Sequence, residues 1–278
     1  MEPEPVDALP VAFPTLRESW GVLGWFLVIS LVVGVPLYGL AAWLLPLQLP
    51  LYKLSVGALL SVVVQLVLLG WLRRRTNLVR LPSLRWNARG ARWQLYALLL
   101  VLVPAQAVVL AALHLLPLPS WTAKTFQSMA HYPLLSLGFG CLLAPVLEEI
   151  LFRGILLRGL LRNYSPALAI GQSALLFGII HFNPAQSLFA LCFGLTLGWI
   201  YYRTQSLVLC IVLHGLNNLL SFFSLMHNSA AMSEAAQYHY LTSSKFLYTF
   251  LGAAFLMGSL LWWIKRTTSP PAVEGLEK

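Results

Sequence analysis

Apolar stretches, each about as long as a bilayer is thick, run through most of this chain and restrict the folds open to it. A transmembrane helix needs about 20 consecutive, mostly apolar residues. By that measure the sequence predicts about eight spans, roughly Gly21–Leu45, Leu54–Leu72, Leu95–Leu116, Pro133–Leu161, Pro166–Phe182, Ser187–Tyr202, Leu207–Leu225 and Phe246–Ile264. Because hydrocarbon offers no partners for exposed backbone groups, we expect an all-α, polytopic transmembrane helical bundle. The fifth and sixth stretches are short, which leaves room for tilt or for a hairpin that does not cross fully.

Composition supports a membrane protein and argues against a nucleic-acid-binding one. The 278 residues are 59% hydrophobic and 10% charged, whereas soluble domains average about 45–50% apolar and about 25% charged. The formal net charge is +9, but the basic residues lie at the ends of apolar stretches. There they act as topological signals and contact anionic lipid headgroups. We therefore expect the lipid bilayer, and no nucleic acid, as a partner.

The basic residues also predict an orientation. The connection after the second span is rich in arginine and should be cytoplasmic: Arg73, Arg74, Arg75, Arg80, Arg85, Arg89 and Arg92. Both termini are then cytoplasmic, with a tail at 1–20, a transmembrane domain at 21–265 and a second tail at 266–278, and the plasma membrane is the expected location. The segment Arg80–Trp93 is either an interfacial helix or an ordinary basic loop.

The acidic residues mark a candidate site. Seven of the nine acids lie in tails or a loop, whereas Glu148 and Glu149 share the fourth apolar stretch with Arg153. A charge at mid-helix costs roughly 2.5–3.5 kcal/mol on insertion scales, so such groups rarely persist without a partner, a cavity or a reaction. Residues four apart share a helix face, which predicts a stacked Glu149–Arg153 pair. Glu148 then points to another face and has no partner in its own helix.

Two other stretches carry isolated polar side chains. The fifth ends in the run Phe177-Gly178-Ile179-Ile180-His181, and the seventh contains the run His214-Gly215-Leu216-Asn217-Asn218. A carboxylate, two histidines and an amide from three spans match a water-activating hydrolase, with a base, a proton carrier and oxyanion donors. A purely structural Glu/Arg cluster and interhelical hydrogen bonding by the histidine and amide groups are the alternatives.

One geometric difficulty follows from this assignment. Counting from the span ends places Glu148 and His214 near mid-depth but His181 closer to the outer end. Tilt, or a fifth helix that begins deeper than predicted, must remove the mismatch.

Other intramembrane proteases need residues that this sequence lacks. A two-aspartate protease is excluded because Asp7 is the only aspartate. The HExxH motif of zinc proteases is absent. The run Gly171-Gln172-Ser173-Ala174 does not provide the Gly-x-Ser-Gly context of a rhomboid-type serine protease.

Three motifs occur in order on separate spans, within roughly Leu134–Ser224: Glu148-Glu149-x-x-x-Arg153, Phe177-x-x-x-His181 and His214-x-x-x-Asn218. Together they resemble the CAAX-protease and bacteriocin-processing (CPBP, or Abi) family of intramembrane glutamic endopeptidases, which includes the type II CAAX prenyl endopeptidases. The first three spans and the last one match the family only as generic hydrophobic helices.

The resemblance implies hydrolysis of a peptide bond, by glutamate-activated water, in a membrane-associated or prenylated protein or peptide. Glu148 would be the general base, assisted by His181. His214 and Asn218 would bind the oxyanion, and Glu149 with Arg153 would support the site. No cofactor is expected; the alternative is metalloendopeptidase activity, because Glu148, His181 and His214 could in principle ligate zinc. The rival functions are a non-proteolytic relative acting in bacteriocin immunity or as a scaffold, and a proton-coupled transporter.

Overall fold

The computed structural model describes residues 12–46, 48–75, 93–228 and 234–270, and over these residues the chain is an all-α bundle. We number its helices α1 Leu16–Leu44, α2 Pro50–Arg75, α3 Trp93–Leu115, α4 Ala123–Ala130, α5 Pro133–Asn163, α6 Pro166–Ile179, α7 Pro184–Thr204, α8 Leu207–Asn228, α9 Glu234–Leu241 and α10 Ser244–Thr267. All except α4, α6 and α9 are long and apolar enough to cross a membrane, which gives seven candidate spans in the described part of the chain. The predicted polytopic helical bundle is confirmed.

The fifth of the predicted stretches forms a helix shorter than the candidate spans. The stretch Pro166–Phe182 forms α6, a helix of 14 residues that is about 21 Å long and so shorter than the hydrocarbon core of about 30 Å. The helix stops because Asn183, which precedes Pro184, is extended, with φ −139° and ψ 110°. A residue before proline disfavours the helical region. The chain therefore turns back into α7 soon after α6 ends.

Other helix boundaries have local chemical causes. Helix α1 begins five residues before its predicted start, because Thr15 and Glu18 form a reciprocal capping box. Helices α2, α5, α6 and α7 each begin at a proline, where the missing N–H would have no helical partner anyway. The short helices α4 and α9 were not predicted, since neither has the length or apolar content of a span.

The most enclosed part of the bundle is the part that carries the three motifs. In α7 and α8, 44% of the span residues are buried, against 6% in α1 and α10. The largest fully buried side chains are concentrated in the second half of α5 and in α6 and α7: Phe152, Arg153, Leu156, Leu157, Leu160, Leu176, Phe177 and Leu197. Helices α1 and α10 instead expose apolar side chains, as expected of a lipid-facing periphery.

Seven basic residues of the described part of the chain lie near the ends of α2, α5, α7 and α10: Arg73, Arg74, Arg158, Arg162, Arg203, Lys265 and Arg266. The amide of Asn163, at the end of α5, bonds the main chain of Ala12 and Pro14. Arg203 donates to the main-chain carbonyls of Lys265, in the last turn of α10, and of Thr268, just after it. The cytoplasmic orientation of these helix ends stays a prediction. The tails at 1–11 and 271–278, and the predicted interfacial segment apart from Trp93, lie outside the described residues.

A glycine allows α6 and α7 to approach closely. A Cβ atom at Gly178 would lie 2.7 Å from the carbonyl oxygen of Ser187 and 3.0 Å from Leu191 Cβ. The first of these neighbours is backbone and has no rotamer with which to move away. The close α6–α7 contact fixes the end of α6, and with it the turn that carries His181.

We expect Gly178→Ala to destabilise the purified protein by about 1–3 kcal/mol, because the methyl group must force the two helices apart. Gly171→Ala on the same helix is the matched control, since a Cβ there meets nothing within 4 Å. The control should be neutral or stabilising by up to about 1 kcal/mol, because alanine is the better helix former. Thermal unfolding in detergent measures both, and equal melting temperatures for the two variants would contradict the packing argument.

Candidate active site

A buried ion pair lies at the centre of the motif-bearing helices. Arg153 Nη1 donates to Glu149 Oε1 at 2.9 Å, and both side chains are 0% exposed. This is the stacked pair that the four-residue spacing predicts. An isolated ion at this position would carry a desolvation cost of several kcal/mol, so each side chain depends on the other to stay charged in the interior.

Arg153 also ties three helices together. Its Nη2 atom donates to the carbonyl oxygen of Gly194 on α7 at 3.2 Å. Its guanidinium lies 4.5 Å from the ring centroid of Phe177 on α6, which places the cation over the negative face of the ring. A Cβ atom at Gly194 would lie 3.2 Å from Phe177 Cδ1, so only glycine leaves this carbonyl accessible without moving the ring. The roles of Phe177 and Gly194 were not predicted.

Glu149 has a second partner on α8. His214 Nδ1 lies 2.8 Å from Glu149 Oε1, the same oxygen that accepts from Arg153. An ionised carboxylate can only accept, so Nδ1 carries the proton and donates it. This bond fixes the orientation of the imidazole. Sequence spacing could not predict it, because 65 residues separate the two partners.

Glu148 differs from its neighbour in both exposure and bonding. Its side chain is 21% exposed, and Oε2 lies 3.9 Å from His214 Nε2. That distance exceeds the range of a hydrogen bond, so each atom can still form a hydrogen bond with another group. Among the described residues, the Glu148 carboxylate accepts no hydrogen bond. The site therefore holds one fully buried acid, bonded to two partners through Oε1 alone, beside one accessible acid that accepts no hydrogen bond from the described residues.

His181 follows the end of α6, and its ring, like that of His214, packs against Phe177. Its Nδ1 atom is 2.8 Å from the carbonyl oxygen of Phe177. A carbonyl only accepts, so Nδ1 carries the proton and the neutral ring has its Nε2 lone pair free. The Phe177 ring centroid lies 5.2 Å from that of His181 and 5.7 Å from that of His214. Both imidazoles therefore contact the same aromatic ring, and the position of His181 within the site stays a prediction.

The turn that carries His181 is held in an unusual conformation. Phe182 has φ +47°, a left-handed geometry that is unfavourable for a bulky side chain and is found mostly where surrounding contacts enforce it. Those contacts come from buried Asn183, whose Oδ1 accepts from the main-chain N–H of Trp121 at 2.9 Å. Its Nδ2 donates to Thr122 Oγ1 at 2.8 Å. The loop before α4 is thereby fastened to the turn that presents His181.

Asn218 lies one helical turn beyond His214 and also faces α5. Its Nδ2 donates to the carbonyl oxygen of Gly140 at 2.8 Å, which leaves one of its two N–H groups for another acceptor. A Cβ atom at Gly215 would lie 2.8 Å from the carbonyl oxygen of Cys141, so glycine permits this close contact between α8 and α5. The structure thus places Glu148, Glu149, Arg153, His214 and Asn218 along one helix–helix contact, with His181 joined to them through Phe177.

A zinc ion needs about three protein ligands in a catalytic site. Among the described residues, no group of three or more His, Cys, Asp or Glu side chains is placed to hold a metal ion. One nitrogen of His214 is bonded to Glu149, and only its Nε2 faces Glu148. The arrangement does not fit a three-ligand zinc site, and no chemical step below is derived through a metal.

Comparison with known proteins agrees with the motif analysis. Residues 130–220, about a third of the chain, match the family described as Rce1-like, type II CAAX prenyl endopeptidase Rce1-like. No curated protein and no solved structure matches the chain. The matched segment contains all six candidate site residues, so the resemblance that the motifs indicate is confirmed. At the level of the family, the match supports a membrane protease.

Arg153→Met should destabilise the protein by about 3–5 kcal/mol, because it leaves Glu149 buried without its cation. The double variant Glu149→Gln/Arg153→Met should recover part of that loss, since it removes the unpaired charge. Arg73→Met, at an exposed site on α2, is the control and should change stability by no more than about 0.5 kcal/mol. Thermal unfolding in detergent measures all three; a double variant less stable than Arg153→Met would contradict the ion-pair argument.

Proposed function

We propose that this protein is an intramembrane glutamic-type endopeptidase that hydrolyses a peptide bond of a membrane-associated or prenylated protein or peptide. The observation that carries the proposal is the contrast between the two adjacent acids. Glu149 is fully buried and bonded to Arg153 and His214. Glu148 is partly exposed, has no hydrogen bond within the described residues, and faces His214 Nε2. An accessible carboxylate beside a fixed imidazole suits general-base catalysis better than a structural role.

In the proposed reaction the Glu148 carboxylate removes a proton from a water molecule, whose oxygen attacks the scissile carbonyl carbon. A C–O bond forms, and the carbonyl oxygen becomes the oxyanion of a tetrahedral intermediate. When the C–N bond breaks, the proton passes from Glu148 to the leaving amine. The free Nε2 lone pair of His181 can accept a hydrogen bond from the attacking water and orient it.

His214 can donate to the oxyanion only as an imidazolium, because its Nδ1 proton is engaged with Glu149. While the oxyanion exists, Glu148 holds the proton taken from water. Glu149 and the oxyanion then carry the two negative charges, and Arg153 and His214 carry the two positive charges that balance them. Glu149 therefore supports the site by holding the ring and balancing its charge. The second N–H of Asn218 supplies the other oxyanion donor.

The proposed substrate follows from the family match and from the location of the site. Type II CAAX prenyl endopeptidases are named for prenylated substrates, and a site enclosed by membrane helices suits a peptide that arrives with an apolar or lipid-modified segment. A plasma-membrane location with both termini cytoplasmic belongs to the same proposal. A C-terminal CAAX peptide bearing a farnesyl group and a fluorophore–quencher pair is the first probe to use.

Glu148→Gln should lower the turnover of this probe by about 10²–10⁴, the usual contribution of a general base. The amide keeps the size of the side chain but cannot take up the proton. Glu18→Gln, at an exposed position on α1, should retain the parent rate. Purified protein in proteoliposomes is assayed with the farnesylated probe, its unprenylated form and a single-span membrane peptide.

Two outcomes would overturn this function. Cleavage by Glu148→Gln at the parent rate would show that another group is the base. No cleavage of any of the three probes by the parent protein would favour a non-proteolytic role in immunity or scaffolding.

The metal alternative has its own test. We expect activity to persist after dialysis against EDTA and 1,10-phenanthroline, because the described residues of the site include no third ligand placed to hold zinc. A known zinc protease treated in parallel shows that the chelators work. Loss of cleavage that is restored by added zinc would establish a metalloprotease instead.

A further inference from the structure

Pro145 leaves one carbonyl oxygen of α5 without a backbone donor. Residues Ser136–Leu143 are π-helical, and the N–H of Ala144 bonds the carbonyl oxygen of Phe139, five residues earlier. In the same register, the N–H of residue 145 would bond the carbonyl oxygen of Gly140. Proline has no N–H, so this acceptor must find another donor or stay unsatisfied inside the bundle, at a cost of about 1–3 kcal/mol.

Asn218 supplies the missing donor from α8. Its Nδ2 lies 2.8 Å from the carbonyl oxygen of Gly140, and its Oδ1 accepts a weaker contact from Asn217 Nδ2 at 3.4 Å. Gly215, on the same stretch of α8, removes the side chain that would otherwise separate the two helices. The amide of Asn218 is therefore held at both ends, with its remaining N–H free.

We propose that Pro145 is a positioning residue for Asn218: by removing one backbone N–H from α5, it creates the carbonyl acceptor that orients the catalytic amide. This inference rests on the proposed function, in which Asn218 donates to the oxyanion. Donors that are oriented before the reaction need no reorganisation when charge develops, which is the main source of their catalytic effect. Helix α5 thus supplies the site with its acids and also with a carbonyl acceptor, that of Gly140, which has no backbone donor.

The same backbone arrangement recurs in α1 and provides a matched control. Residues Ser30–Gly34 are π-helical, and the N–H of Val35 bonds the carbonyl oxygen of Ser30. Pro36 follows, so the carbonyl oxygen of Leu31 loses its donor in the way that Gly140 does. Pro36 is exposed on the periphery, and no side chain of the described residues bonds the Leu31 carbonyl. Pro36→Ala therefore makes the same chemical change away from the site.

The first test measures stability and needs no substrate. In the parent background, Asn218→Ala orphans the Gly140 carbonyl and should lower the melting temperature by about 3–6 °C. In a Pro145→Ala background the restored N–H satisfies that carbonyl, so Asn218→Ala should lower the melting temperature by no more than about half as much. In a Pro36→Ala background the decrease should equal that of the parent. Equal decreases in all three backgrounds would overturn the link between Pro145 and Asn218.

The second test measures catalysis with the farnesylated CAAX probe. Pro145→Ala should lower kcat by about 10-fold with little change in KM, because the amide is still present but no longer oriented before the reaction. It should have no further effect in the Asn218→Ala background, and Pro36→Ala should leave kcat unchanged. A loss of kcat that adds to that of Asn218→Ala, or no loss at all, would overturn the positioning role.

The two tests separate this inference from the proposed function. If the parent protein does not cleave the probe, the proposed function fails, and so does the catalytic role of the Asn218–Gly140 hydrogen bond. The stability cycle would still establish or refute the hydrogen bond that Pro145 makes possible.

Discussion

The hydrogen bonds at one carboxylate oxygen connect the motif-bearing helices of this protein. Glu149 Oε1 accepts from Arg153 within its own helix and from His214 across the bundle. In hydrocarbon, an acid with a single flexible partner would be expensive, whereas an acid fixed by two cationic or potentially cationic donors can stay ionised. Arg153 then extends the network to α6 and α7 through Phe177 and the Gly194 carbonyl. The Glu149–Arg153 pair thus contacts α6, α7 and α8 as well as lying on α5.

This network gives the adjacent acid its different character. Successive side chains on a helix diverge by about 100°, so a helix that buries Glu149 must direct Glu148 into a different environment. The same α8 histidine serves both acids, with Nδ1 toward Glu149 and Nε2 toward Glu148. The structural acid therefore determines how the ring is presented to the accessible one. The short α6 ends where the Phe177 ring packs against both His181 and His214.

The sequence predicted the features that depend on local spacing or on strong physical constraints. Apolar length predicted seven of the spans, and the four-residue spacing predicted the Glu149–Arg153 pair. The shortness of α6 was underestimated, because apolar residues up to Phe182 hide the effect of Pro184 on the residue before it. The capping box at Thr15 and Glu18 was available in the sequence and would have moved the start of α1 to Leu16.

Contacts between distant segments could not be predicted in the same way. The Glu149–His214 hydrogen bond and the hydrogen bond from Asn218 to the Gly140 carbonyl depend on helix packing, which no local sequence pattern encodes. Gly194 and Gly215 mark the places where backbones approach, yet neither differs in sequence from glycines such as Gly252, which face open space. The turn at Phe182 and Asn183 likewise depends on a loop some 60 residues earlier, through Trp121 and Thr122.

The separation between Glu149 and His214 has a consequence for synthesis at the ribosome. When α5 leaves the translocon, the helix that will supply the imidazole has not yet been made, since it lies 65 residues further along the chain. Arg153 is already present four residues away, so the nascent helix carries its own counter-ion during lateral transfer into lipid. Glu148 has no such companion at that stage. Arg153 can therefore balance the charge of Glu149 during insertion, before the other helices are present. In the folded bundle the same pair lies at the polar centre.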